Sequence, residues 1–123
     1  MKLTPFESTT LEGWEQVYAK AQLSLWIMVA IRQEQEYVED IINFIKQYAR
    51  LEPETQSLYR SLRRLEQATL IQSTKVTNTA GPDKKRFGLT EAGENVLSSF
   101  IRRNIHDIII RGDQHGFFNP QKV

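Results

Sequence analysis

The stretch "SLYRSLRRLEQATLI", residues 57–71, places Arg60, Arg63 and Arg64 within five positions. Guanidinium groups offer a planar fork of N–H donors that matches phosphate oxygens, or the O6 and N7 edge of guanine. Gln56, just upstream, can pair through its amide with the N6 and N7 edge of adenine. Ser57 and Tyr59 add hydroxyl donors suited to a sugar-phosphate backbone. Arg64 lies beside the main basic line and suits a phosphate more than a base. A second basic set follows, with Lys75 and Asn78 ahead of Lys84, Lys85 and Arg86.

Other chemistries lack their residues. The chain has no cysteine, which excludes disulfides and thiolate zinc sites. His106 lies among isoleucines with no second ligand four residues on, and His115 stands alone, so no metal site is expected. There is no glycine-rich phosphate loop, nucleophile elbow or paired-carboxylate constellation, which points away from an enzyme and from any cofactor. The apolar run "LSLWIMVAI", residues 23–31, is too short to cross a bilayer and too deep for a signal peptide. A cytoplasmic protein without membrane contact is the simplest expectation.

Elements must hold the basic groups in place. "TTLE" matches a capping box from Thr9 to Glu12, and Trp14, Val17, Tyr18, Ala21, Leu25 and Met28 recur at helical spacing. This predicts a first helix over 11–32. Its second half is apolar nearly all round and calls for cover from several sides, which a second copy of the chain can supply. After "RQEQE", a helix over 37–49 turns Val38, Ile41, Ile42, Ile45 and Tyr48 to one side. Pro53 suits the first turn of a third helix, about 54–68. On it Leu58, Leu62 and Leu65 share one side while Gln56, Arg60, Arg63 and Gln67 fall opposite. Helices two and three make a helix-turn-helix.

"IQSTKVT" and "KRFGL" flank a turn cluster at Gly81–Pro82, predicting a hairpin over 71–89 with Phe87 and Leu89 on one face. Thr90 caps a fourth helix over 91–111, stopped by Gly112 and followed by a short frayed tail. Val96, Leu97, Phe100, Ile101, Ile105, Ile108 and Ile109 exceed what one hairpin can cover. The expected fold is mainly α with a small β-wing (α+β): a winged helix-turn-helix in one domain over 1–123. Helices 11–32 and 91–111 are its N- and C-terminal dimerisation elements, with Trp14, Tyr18, Leu25, Phe100, Ile101, Ile105 and Ile108 at the interface.

Hydrophobic content of 40% and charged content of 25% suit a folded globular chain. Net charge is only +1, but it is uneven: residues 1–49 sum to −3 and residues 50–86 to +4. That asymmetry fits a local anionic partner. A basic helix face taken alone reads first as a solvated surface over a leucine stripe, and a charged hairpin also guards a sheet edge. Side by side, the two favour DNA.

These residues resemble the PadR family of winged-helix transcriptional regulators. The likeness lies in Ser57, Leu58 and Tyr59, then Arg63, Arg64, Leu65 and Glu66, and in the wing with Gly81, Lys85, Arg86, Phe87, Leu89, Thr90 and Gly93. The family commonly has Gly where Thr69 stands and an aromatic where Gly88 stands, and its His-Gly-Tyr becomes "EQEY", retaining Tyr37. The resemblance implies a homodimeric, sequence-specific DNA-binding regulator, a repressor, with helix 54–68 in the major groove of double-stranded DNA. The wing 71–89 would lie on the backbone or minor groove. It also implies a candidate aromatic effector near Trp14, Tyr18, Trp26 and Phe100, although aromatics at helical spacing commonly serve packing. The alternative is a winged-helix protein-interaction module without sequence-specific DNA binding.

Overall fold

The structure, a computed structural model, describes residues 2–121. Its first helix is capped by Thr4, not Thr9. The Glu7 N–H donates to the Thr4 hydroxyl at 3.1 Å and the Thr4 N–H to the Glu7 carboxylate at 2.8 Å. Pro5 follows at the first helical position, where its missing N–H costs nothing. Thr9 lies inside the helix and donates to the Pro5 carbonyl at 3.0 Å.

The helix expected over 11–32 is in fact two, α1 (Pro5–Ala21) and α2 (Leu23–Arg32). They part at Gln22, whose φ of −99° and ψ of 4° leave helical geometry. No proline or glycine causes the break; the burial of the two halves differs. α1 buries no residue, whereas α2 buries Leu23, Ile27, Met28, Ala30 and Ile31. α2 touches α3 (Val38–Tyr48), α4 (Thr55–Gln67), α5 (Glu91–Ile101) and the second strand of the hairpin. Its own chain therefore covers much of its apolar surface, with Leu25, Trp26 and Val29 left half-buried. Ile41, Ile45, Leu58, Leu62, Leu65, Ile71, Phe87 and Leu97 complete that core. Full burial of such side chains contributes about 1.5–3 kcal/mol each.

Tyr48, expected in the buried stripe of α3, is exposed instead. Its ring meets Phe44 at 4.8 Å between centroids, and Phe44 meets Trp26 at 6.3 Å. Pro53 lies ahead of α4 rather than in its first turn, with Glu54 at the N-cap. α4 closes in a Schellman turn: the Leu70 N–H donates to the Leu65 carbonyl and the Thr69 N–H to that of Glu66, each at 3.0 Å. Thr69 adopts φ 60° to make that turn.

The chain then enters β1 (Ile71–Val76), which pairs antiparallel with β2 (Lys84–Leu89). Ile71 lies opposite Leu89, Ser73 opposite Phe87 and Lys75 opposite Lys85. Thr90 caps α5 as expected, accepting from the Gly93 N–H at 3.0 Å. It also donates its hydroxyl to the Thr69 carbonyl at 2.6 Å and its N–H to that of Leu70 at 3.1 Å. The end of α4 and the start of α5 are thus stitched together around the root of the hairpin.

The helix expected over 91–111 is α5, a π-helical turn at Arg102–His106, and α6 (Asp107–His115). Gly112 does not stop it. That residue is buried within α6 under the Phe118 ring, and the stop is Gly116 at φ 72°. The Phe117 N–H donates to the Gly112 carbonyl at 2.8 Å, a second Schellman closure. The tail expected to fray is folded back as far as Phe118, while residues 122 and 123 lie outside the described residues.

Candidate nucleic-acid interface

Burial fixes which way α4 faces. Leu58, Leu62 and Leu65 are in the core, so helical geometry turns Gln56, Arg60, Arg63 and Gln67 outward with Arg64 beside them. All three arginines are exposed, and none has an ion-pair partner among the described residues. Ser57 is half-buried at the helix start, and Tyr59 is 46% exposed. Glu66 is the one acid of this helix, and its carboxylate accepts from the Ser73 hydroxyl at 2.7 Å. It therefore anchors the wing root.

Strand alternation sorts the wing cations. Ser73 and Lys75 of β1 share a ribbon face with Phe87 and Lys85 of β2, and the Ser73–Glu66 bond turns that face toward α4. Lys75 and Lys85 stand directly opposite each other further out. Lys84 and Arg86 belong to the other face. The Lys84 ammonium lies 6.0 Å from the Tyr37 ring centre, and the Arg86 Nε–H donates to the Glu36 carboxylate at 2.7 Å. Arg86, grouped with the DNA-binding residues on sequence, has its guanidinium on an acid. Glu36 carried no signal of a role here, since its partner on β2 is remote in the chain and follows no helical or strand period, and Tyr37 stood out only as the tyrosine retained from the family's His-Gly-Tyr.

A groove of about 580 Å³ runs between α4, the wing and the start of α3, lined among others by Tyr37, Tyr59, Arg63, Lys84, Lys85 and Phe87. Glu39, Asp40 and Asp83 also line it, so the groove is of mixed sign and the unopposed positive charge sits on the arginine ridge.

The residues expected at a dimer interface divide. Trp14 is 75% exposed, and Tyr18, Phe100 and Ile108 are exposed too. Leu25 and Ile101 are half-buried against the chain's own core, and Ile105 is half-buried. The four aromatics expected near an effector do not meet within the chain. Trp14 and Tyr18 line a groove on α1, Trp26 packs on Phe44, and Phe100 lines a separate groove with Val96 and Arg103.

A helix-turn-helix whose second helix turns unpaired arginines to solvent, followed at once by a basic two-stranded wing, is the architecture of a winged-helix DNA-binding protein. The chain belongs to the PadR-like family of transcriptional regulators, whose family model matches residues 27–99. Among curated proteins none matches the chain closely. Solved structures do. A PadR-like transcription factor from Bacteroides fragilis is similar at 29% identity and a TM-score of 0.68, over 84% of this chain and 97% of that one. A PadR family regulator from Eggerthella lenta shares the fold at 18% identity and a TM-score of 0.70, over 91% and 96%. A PadR-like regulator from Bacillus cereus does so at 20% identity and 0.65, over 83% and 96%. The protein is thus a DNA-binding transcriptional regulator and not an enzyme. No helix among the described residues is long and apolar enough to cross a membrane.

Proposed function

We propose that the protein is a homodimeric, sequence-specific repressor that reads double-stranded DNA with α4 in the major groove and its wing on the flanking backbone or minor groove. The observation that carries this reading is the ridge of Gln56, Arg60, Arg63 and Arg64, exposed over a buried leucine stripe and free of carboxylate partners among the described residues. Arg60 and Arg63 are the base readers and Arg64 grips phosphate, with Ser57 and Tyr59 as positioning donors. A protein seated on its site excludes others from it, which is repression by occupancy.

Two copies are supported by α1, a helix of 17 residues with none buried, and by the exposed Phe100, Ile108, Ile109 and Ile110 of the C-terminal elements. Apolar surface of that extent seeks a partner. A symmetric pair sets its recognition helices about one helical turn, ~34 Å, apart and reads a palindrome. An aromatic effector then has a place where Trp14 and Tyr18 of two protomers approach.

Changing Arg60 and Arg63 together to Ala abolishes footprinting on a selected operator while the dimer persists by sedimentation; an unaltered footprint overturns the assignment of α4. A second reading, a protein-interaction module, draws on the net charge of +1 and on the acids in the groove. Salt-titrated retention on random duplex separates the two, since a module of that kind is not retained even at ~50 mM salt.

A further inference from the structure

Of the wing cations, Arg86 alone has a carboxylate within ion-pair distance among the described residues. Glu36 grips β2 twice. Its carboxylate accepts from the Arg86 Nε–H at 2.7 Å, and its backbone carbonyl accepts from the Phe87 N–H at 2.8 Å. The backbone bond holds Glu36 against the outer edge of β2 whatever its side chain does. The ion pair therefore needs little further ordering to form. Arg86 also lies on the ribbon face opposite Lys75 and Lys85.

We propose that Glu36 is a positioning residue that withholds Arg86 from DNA, leaving the wing's lysines as the cations that meet phosphate. The inference rests on the DNA-binding role of the wing and deepens it. A free arginine on a wing adds phosphate affinity without regard to sequence. Engaging that charge lowers binding to every duplex alike and leaves discrimination between sequences to α4. The same two bonds tie the wing to the α2–α3 turn and so fix its direction relative to the recognition helix.

The test is salt-titrated binding of wild type, R86A, E36Q and the E36Q/R86A double variant to a selected operator and to random duplex. R86A leaves the slope of log K against log salt unchanged, because Arg86 touches no phosphate. E36Q frees Arg86, steepens the slope by about 0.9 and raises affinity for operator and random duplex alike, severalfold. The double variant returns the slope to that of wild type. A merely structural role for the pair predicts no such non-additive change in slope. Thermal melts of all four proteins check that each variant is folded.

If R86A by itself flattens the slope by about 0.9, Arg86 grips phosphate and the proposal fails. It fails equally if folded E36Q keeps the wild-type slope. R86A, a surface truncation, decides independently of how E36Q folds. Wild type that is retained on neither duplex overturns the DNA-binding reading itself, an outcome distinct from a wild-type slope that R86A flattens.

Discussion

Gly93 packs so closely on Leu70 that a methyl group on its Cα would run into the Leu70 carbonyl oxygen. That carbonyl is held in place by the Thr90 N–H at 3.1 Å, so it has little freedom to withdraw. In an unconstrained helix Gly→Ala gains about 1 kcal/mol. Here the sign reverses: Gly93→Ala loses about 2 kcal/mol through overpacking against backbone. Urea unfolding checks this, and a variant as stable as wild type would show that the α4–β1 corner yields freely.

Thr69 is a β-branched residue held at φ 60° to close the turn after α4. The left-handed region costs an L-residue about 1–2 kcal/mol, partly offset by the chain entropy that glycine brings. Thr69→Gly therefore stabilises the protein by about 0.5–1 kcal/mol, seen as a higher urea midpoint at unchanged m-value. A lower midpoint would mean that the Thr69 side chain contributes more than its backbone strain removes.

Trp14 projects from a helix that supplies nothing to the core. Trp14→Asp places a charge in the proposed dimer seam, and sedimentation should report the mass of one protomer at concentrations where wild type is paired. Helical circular dichroism falls by about the contribution of α1, while the winged core still melts cooperatively. A variant that remains paired moves the interface elsewhere.

Lys75 and Lys85 carry the exposed charge on the wing face that looks toward α4. Replacing both with Ala weakens binding to every duplex alike and flattens the salt slope by about 0.9 for each phosphate no longer neutralised. Sequence preference, which α4 carries, stays as it was. A change in preferred sequence would assign base readout to the wing.

The Glu7 carboxyl titrates below the ordinary range of glutamates because it accepts from the Thr4 backbone N–H, and because the Thr4 hydroxyl lies within reach as well. A depressed value means that the cap's contribution is present above the unfolded-state pKa, about 4.3, and is lost as pH falls through the folded value. The Thr4 amide resonance, followed by NMR from neutral to acid pH, reports that loss as the start of α1 loosens. In Thr4→Ala the Glu7 carboxyl titrates closer to its ordinary value.

The parts of the fold that were legible are those whose cause is local. Leu58, Leu62 and Leu65 repeat at the helical period, and each is buried. The hairpin shows its alternation and its glycine-proline turn, and Thr90 sits where a cap must. What was hidden depends on distant residues. Gln22 breaks a helix that no local residue forbids, because α2 must enter the core and α1 does not. Gly112 looked like a stop, yet glycine serves close packing as well as left-handed turns, and here it seats Phe118 while Gly116 makes the turn. Arg86 is bound by an acid 50 residues earlier, so no window around the wing could have discounted it.

The pairing of Lys75 with Lys85 leaves two like charges facing each other across a ribbon that only a turn closes. Directly opposed like charges weaken a strand pair. The free protein thus carries a wing whose outer rungs are electrostatically frustrated, and any anion that settles between the two ammonium groups completes it. Amide exchange in the outer part of the hairpin should slow on such binding while that of α2 barely changes. The stiffness of this segment then becomes a gauge of occupancy, readable without knowing which bases the neighbouring helix prefers.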